Sequence, residues 1–263
     1  MSIVLAHLRR DFLIWSSYRL AAFFQVAGVF MTIGLIYFAG KAIGDRSALV
    51  EGEGGYIAFV IVGLAFTDLL AQGLASLPRG IQDNQRAGTL ESVLMAPVAE
   101  WQLLISCWLF RFLFSAFRTA ALMMFGWLAL GFWPAANPLA IVAVVVPAQA
   151  AFLAMGAFSA AFLLLVKQGD PVLLAYAAAS AILGGAFFPV EALPDWMQPV
   201  TLLVPLTHAL SGIREGLAGG SGADVAPQAL TLTVMAALSL PLGLYAFRWA
   251  MKRAKEEGSL GEY

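Results

Sequence analysis

Charge is scarce in this sequence: 12% of its 263 residues are Asp, Glu, Lys or Arg, against about 25% in a soluble globular domain. Hydrophobic residues make up 61% and mean hydropathy is +0.83, which places the chain in a bilayer. The single cysteine, Cys107, excludes an internal disulfide framework and a cysteine-based metal cluster. Histidine is almost as rare, with only His7 and His208, and no H-E-x-x-H run is present. A net charge of -1 excludes a strongly basic nucleic-acid binder. No G-x-x-x-x-G-K-[ST] sequence occurs, so the chain does not cradle ATP phosphates in a P-loop.

What is abundant is apolar sequence in blocks. Stretches at 20–40, 56–76, 104–131, 138–166, 171–190 and 228–250 are each near the length that crosses a bilayer. All six are expected to be helical, because unpaired backbone groups cannot face lipid. Residues 2–17 read as a separate surface helix. At about 100° per residue Val4, Leu8, Phe12 and Trp15 share one stripe, and Arg9, Arg10 and Asp11 fall off it, as in a helix lying on a membrane. The expected fold is therefore an all-α integral membrane protein of one domain, 1–263: an interfacial helix at 2–17, a six-span bundle over 20–250 and a cytoplasmic tail at 251–263. With both ends cytoplasmic, the inner segments hold Arg9, Arg10, Arg19, Arg79, Arg86, Lys167, Arg248, Lys252, Arg253 and Lys255, and the outer ones only Lys41, Arg46 and Arg214. That asymmetry fixes the expected orientation.

Two connecting segments stand out. The inner loop between the second and third spans, 78–97, contains Arg86, Gly88, Thr89, Leu90, Glu91, Val93 and Leu94 before Pro97. Thr89 suits a helix cap, Glu91 the first turn and Pro97 a stop, predicting a helix of about two turns across the inner face. The outer segment after the fifth span carries Pro189, Pro194, Trp196, Pro205, Thr207, His208 and Arg214. It is too apolar for a free loop and too broken by proline for one straight helix. Pro194 in a first turn and Thr207 as a cap predict two short helices dipping into the outer leaflet. Non-helical backbone at that depth needs protein or water around it, so a cavity is expected near 187–216.

Gly88-Thr-Leu-Glu91 followed by Ala-Pro97, and Leu193-Pro-Asp-Trp196 leading to Pro205-Leu-Thr-His208 and Arg214, resemble the signature segments of the ABC-2 type permeases. The likeness extends over nearly the whole chain. It implies the membrane subunit of an ATP-driven exporter of drugs, lipids or lipid-linked glycans, in the cytoplasmic membrane, with ATP and Mg on a separate ABC ATPase present as two copies. This chain would bind no cofactor and would pair with a second permease copy, as a homodimer or with a close relative. Thr89 to Ala96 would be the coupling helix seated in the ATPase, and the helices around Pro194 to Gln198 and Thr207 to Gly216 would close the outer end of the pathway. A polysaccharide or teichoic-acid channel is the alternative within the family. Phe23, Phe24, Phe30, Tyr37, Phe187 and Phe188 suit an aromatic-lined channel and lipid-facing packing equally.

Three ionisable residues lie inside expected spans, Asp68, Arg111 and Arg118, where charge normally faces the bundle interior. Counted from inner ends near 76 and 104, Asp68 and Arg111 match in depth, which predicts a salt bridge between them. Arg118, on the same face as Arg111 but deeper, has no evident partner; it is expected to meet an anionic group such as a lipid phosphate, or backbone carbonyls. Two rival classes are an ATP-independent channel and an intramembrane enzyme. For the latter, Gly219-Gly-Ser221-Gly222 matches the G-x-S-G around the nucleophile of rhomboid-type proteases. Neither histidine lies in an expected span, and the serine sits in a Gly-rich polar loop, which reads as a flexible turn.

Overall fold

The computed structural model describes residues 55–88, 100–130, 135–166 and 171–256, with isolated positions between 9 and 38. It contains the helices α1 (Gly55–Arg86), α2 (Glu100–Leu130), α3 (Pro138–Val166) and α4 (Pro171–Leu183), a 3-10 turn at Val190–Ala192, then α5 (Gln198–Thr201), α6 (Pro205–Leu217) and α7 (Ala226–Glu256). Four of these, α1, α2, α3 and α7, are long and apolar enough to cross a membrane, so the chain is a multi-pass membrane protein, with helix and no strand among the described residues. Arg9, Arg10, Phe12 and Leu13 are helical, and Ser17 Oγ donates back to the Leu13 carbonyl at 2.8 Å. The remainder of the expected interfacial helix, and most of the expected 20–40 span, lie outside the described residues.

The third helix is the centre of the bundle. It is apolar around its whole circumference, as a helix surrounded by others should be, and α7, α1 and α6 all pack on it, α7 most extensively. Two apolar clusters hold the two ends. At one end Leu77 and Ile81 of α1, Leu104 of α2, Leu164 of α3 and Phe247 of α7 are buried together. At the other, Phe66 and Leu70 of α1 and Val144 and Phe152 of α3 enclose Leu206, Leu210 and Ile213 of α6. Because lipid is as apolar as leucine, close backbone approach does much of the holding. A methyl group built on Gly156 would lie 2.6 Å from the Leu74 carbonyl oxygen, and one on Gly243 would lie 2.5 Å from that of Ala154. The outer face of α7 is apolar and uncovered: Leu230, Val234, Leu238, Leu242, Tyr245 and Trp249 recur at helical spacing and are exposed, as lipid-facing residues are.

Two span boundaries differ from the sequence expectation. The second span does not stop before Pro78. The helix runs through it to Arg86, because neighbouring helices in a membrane can satisfy the backbone that proline disrupts. The carbonyl left without an intrahelical donor is that of Leu74, four residues earlier, and it is the one α3 approaches at Gly156. The fifth span is shorter than 171–190. Its helix ends at Leu183, and Gly185, at a φ of 74°, turns the chain in a conformation that only glycine adopts without strain. Thirteen residues rise only about 20 Å, short of the roughly 30 Å hydrocarbon core.

Candidate functional site

On α1, Asp68, Gln72, Arg79, Asp83 and Arg86 fall within about 60° of one another at helical periodicity. On α2, Arg111, Ser115 and Arg118 form the matching stripe. The two helices pack antiparallel and bring these stripes into one polar seam. Asp68 forms an ion pair with Arg118 and accepts a hydrogen bond from Ser115 Oγ at 2.6 Å. Thr119 Oγ1 donates to the Ala65 carbonyl at 3.0 Å beside it. Arg111 Nη2 donates to Asp83 Oδ2 at 2.8 Å.

The expected Asp68–Arg111 pair is thus replaced by two others, and Arg118 has a carboxylate partner. Register is the reason. Antiparallel helices align from their true ends, Arg86 and Glu100, rather than from 76 and 104. Asp68 is eighteen residues before Arg86 and Arg118 eighteen after Glu100, so these two share a depth. Arg111 instead leans toward the Arg86 end, extending its apolar stem to reach the more exposed Asp83, as cationic side chains in membranes do.

A buried tie that the sequence reading missed crosses three helices. Gln149 of α3 donates through Nε2 to the Leu69 carbonyl of α1 at 2.7 Å, and its Oε1 accepts from Trp108 Nε1 of α2 at 3.2 Å. The available signal was the one amide side chain in the 138–166 stretch, whose only other polar side chain is Ser159; a polar group at that depth must find partners.

At the opposite end, the segment between α4 and α7, expected to face outward, packs as a plug against α1 and α3. It contains the turn at Val190–Ala192 and the helices α5 and α6, close to but not coincident with the expected pair. Pro205, not Pro194, occupies a helix first turn. Thr207 lies inside α6, whose cap position is Val204 with no side-chain cap. Thr207 Oγ1 donates to the Leu183 carbonyl at 3.4 Å, and His208 Nε2 bonds the Leu202 carbonyl at 2.9 Å. Pro189 leads into the 3-10 turn, and Trp196 is 75% exposed. The cavity expected near 187–216 is filled by protein: Leu206, Ala209, Leu210 and Ile213 are fully buried.

Arg214 latches this plug. Its guanidinium carbon lies 3.6 Å from the centroid of the Phe59 ring of α1, and Nη2 donates to the Gly185 carbonyl at 2.9 Å. Arg214→Lys keeps the charge, but an ammonium cannot stack flat on Phe59 while reaching Gly185. It is expected to destabilise the outer segment by about 1–2 kcal/mol. Faster cleavage of 187–204 by protease added to the outer face of reconstituted vesicles is the check; an unchanged rate means the latch holds nothing.

Ser221 belongs to a turn. Its N–H and Oγ both bond Asp224 Oδ2, at 2.7 and 2.8 Å, which holds the exposed carboxyl below its usual range and agrees with a turn ahead of α7 rather than a nucleophile. At the other end of α7, the Arg253 guanidinium lies 5.6 Å over the Trp249 ring. Of the expected coupling residues, Arg86 ends α1 and Gly88 follows at a φ of 66°. Thr89, Leu90, Glu91, Val93, Leu94 and Pro97 lie outside the described residues.

The sequence model for ABC-2 type transporters matches residues 2–218. The chain belongs to the ABC-2 type transporter family. It is therefore the permease, the membrane-embedded transport component of an ABC transporter. The match runs from residue 2 through the end of α6 and stops before α7. The signature segments that suggested the family fall within it. Comparison with curated proteins gives no match.

Proposed function

We propose that this permease moves an amphiphilic substrate, a drug, a lipid or a lipid-linked glycan, outward across the cytoplasmic membrane, driven by a separate ABC ATPase. The observation that carries this reading is the family match over 2–218. Two permease copies form the pathway and two ATPase copies supply ATP and Mg; this chain binds neither. Both termini are cytoplasmic, in keeping with the bias of Lys and Arg toward the Arg86 and Glu256 ends.

The segment after Arg86 is the ATPase dock. Helix α1 runs unbroken from Asp68 to Arg86, so a push arriving at Arg86 from the dock would be carried to Asp68. Leu90, Val93 and Leu94 supply apolar contact, and Arg86 and Glu91 supply polar contact. Leu94→Glu, which puts a charge on that apolar contact, is expected to weaken ATPase co-purification at least about tenfold while leaving the permease in the membrane. Full recovery of the ATPase with Leu94→Glu, or transport by the permease alone without ATP, would overturn the reading.

A further inference from the structure

The polar seam between α1 and α2 holds more positive than negative charge. Arg111 and Arg118 are matched by Asp83 and Asp68. Arg79 lies between the two pairs on the same stripe of α1, within electrostatic reach of Arg111, Asp68 and Asp83. Among the described residues no carboxylate is within ion-pair distance of it, and its side chain is exposed. The seam is accessible along its length: the side chains of Arg118 and Asp68 are 28% and 34% exposed, and that of Asp83 is 59% exposed. An unmatched guanidinium beside a second one is a receptor for a phosphate or carboxylate.

Depth identifies what brings that anion. Counting about 20 residues of hydrocarbon from Gly55 puts the inner boundary of the membrane near Ser76, so Arg79 stands at headgroup level with Asp83 and Arg86 beyond it. Deeper in, about 16 Å from Arg79 along the helix axis, the Asp68–Arg118 pair continues the polar track.

We propose that the α1–α2 seam binds the anionic headgroup of an amphiphile in the inner leaflet, with Arg79 as the recognising cation and Arg111 as its neighbour. This deepens the exporter reading, on which it rests, by assigning the substrate class: amphiphiles whose headgroup carries a phosphate or carboxylate, with acyl chains remaining in lipid beside α2. Zwitterionic lipids, whose choline would meet Arg79 and Arg111 at close range, are disfavoured. The exposed face of α2, with Leu113, Phe117, Met124 and Leu128, gives the acyl chains an apolar wall.

The test is native mass spectrometry of the purified full-length permease, exchanged into mixed micelles with equal amounts of dioleoyl phosphatidylglycerol and dioleoyl phosphatidylcholine. The wild type should retain phosphatidylglycerol preferentially, Arg79→Lys should keep most of that preference, and Arg79→Gln should reduce it about tenfold, the loss of one charge-assisted contact. A variant with Lys252, Arg253 and Lys255 all changed to Gln, which leaves the bundle untouched, should behave as wild type. Equal retention by Arg79→Gln overturns the proposal. So does loss of the preference in the tail variant, whether or not Arg79→Gln folds. Inorganic phosphate at millimolar concentration should not displace the lipid; displacement would make this a free-anion site and overturn the lipid assignment. Because the measurement needs no ATPase, its failure is separable from failure of the coupling experiment.

Discussion

Asp68→Ala should leave little folded permease in the membrane. The substitution removes the partner of Arg118 and the acceptor of the Ser115 hydroxyl, stranding a guanidinium eighteen residues into a membrane helix. Leaving one unpaired charge at that depth of a membrane helix costs about 3 kcal/mol, because nothing there compensates it. Removing both charges is a different matter. Asp68→Ala with Arg118→Leu should recover most of the loss, since the double variant buries no unpaired charge. Arg111→Gln should be mild, within about 1 kcal/mol, because Asp83 remains solvated. The yield of monodisperse protein and its thermal midpoint in detergent measure all three. If Arg111→Gln proved as damaging as Asp68→Ala, or the double variant failed to recover, the assigned pairs would be wrong.

The second large effect needs no charge. Gly156→Ala adds one methyl group where α3 crosses α1, at 2.6 Å from the Leu74 carbonyl oxygen and 2.8 Å from that of Gly73. Both obstacles are backbone, so no side-chain rotation relieves them and the two helices must separate. Overpacking of this kind costs about 1–3 kcal/mol, and separation would also strain the hydrogen bond from Gln149 to Leu69 a few turns away. A drop in thermal midpoint is expected, with Gly222→Ala, which has open space around it, as the unaffected reference. A Gly156→Ala variant as stable as wild type would show that α1 and α3 are less tightly packed than described.

Much of this was legible from residue type and length. The stretch 138–166 coincides with α3, and α2 and α7 begin within a few residues of their apolar blocks, because hydrocarbon thickness fixes how much apolar sequence a span needs. Proline was the misleading signal at the inner end of α1. Pro78 disrupts a helix in water, but in a bundle its consequences are absorbed by neighbours. That misplaced end, with an α2 start set four residues late, shifted the depth scale and matched Asp68 with the wrong arginine. Arg214 is a conspicuous charge in an apolar segment, but its stacking partner Phe59 is 155 positions away. Only the folded chain brings those residues together. Gln149 was overlooked because one amide does not disturb an apolar average, although its isolation was the clue.

The two ion pairs of α1 and α2 also work as a code. Apolar helices in lipid slide past one another at small cost, since every register buries similar surface. Here the carboxylates are fifteen residues apart and the guanidiniums seven, two unequal spacings, like the scales of a vernier. Sliding α2 by two turns would set Arg111 against Asp68, but Asp83 would then face Leu104, and Arg118 would be carried deeper with no carboxylate to meet. Only one alignment satisfies both acids. The few charges this chain carries through the membrane therefore encode an address, telling one helix where along another to stop.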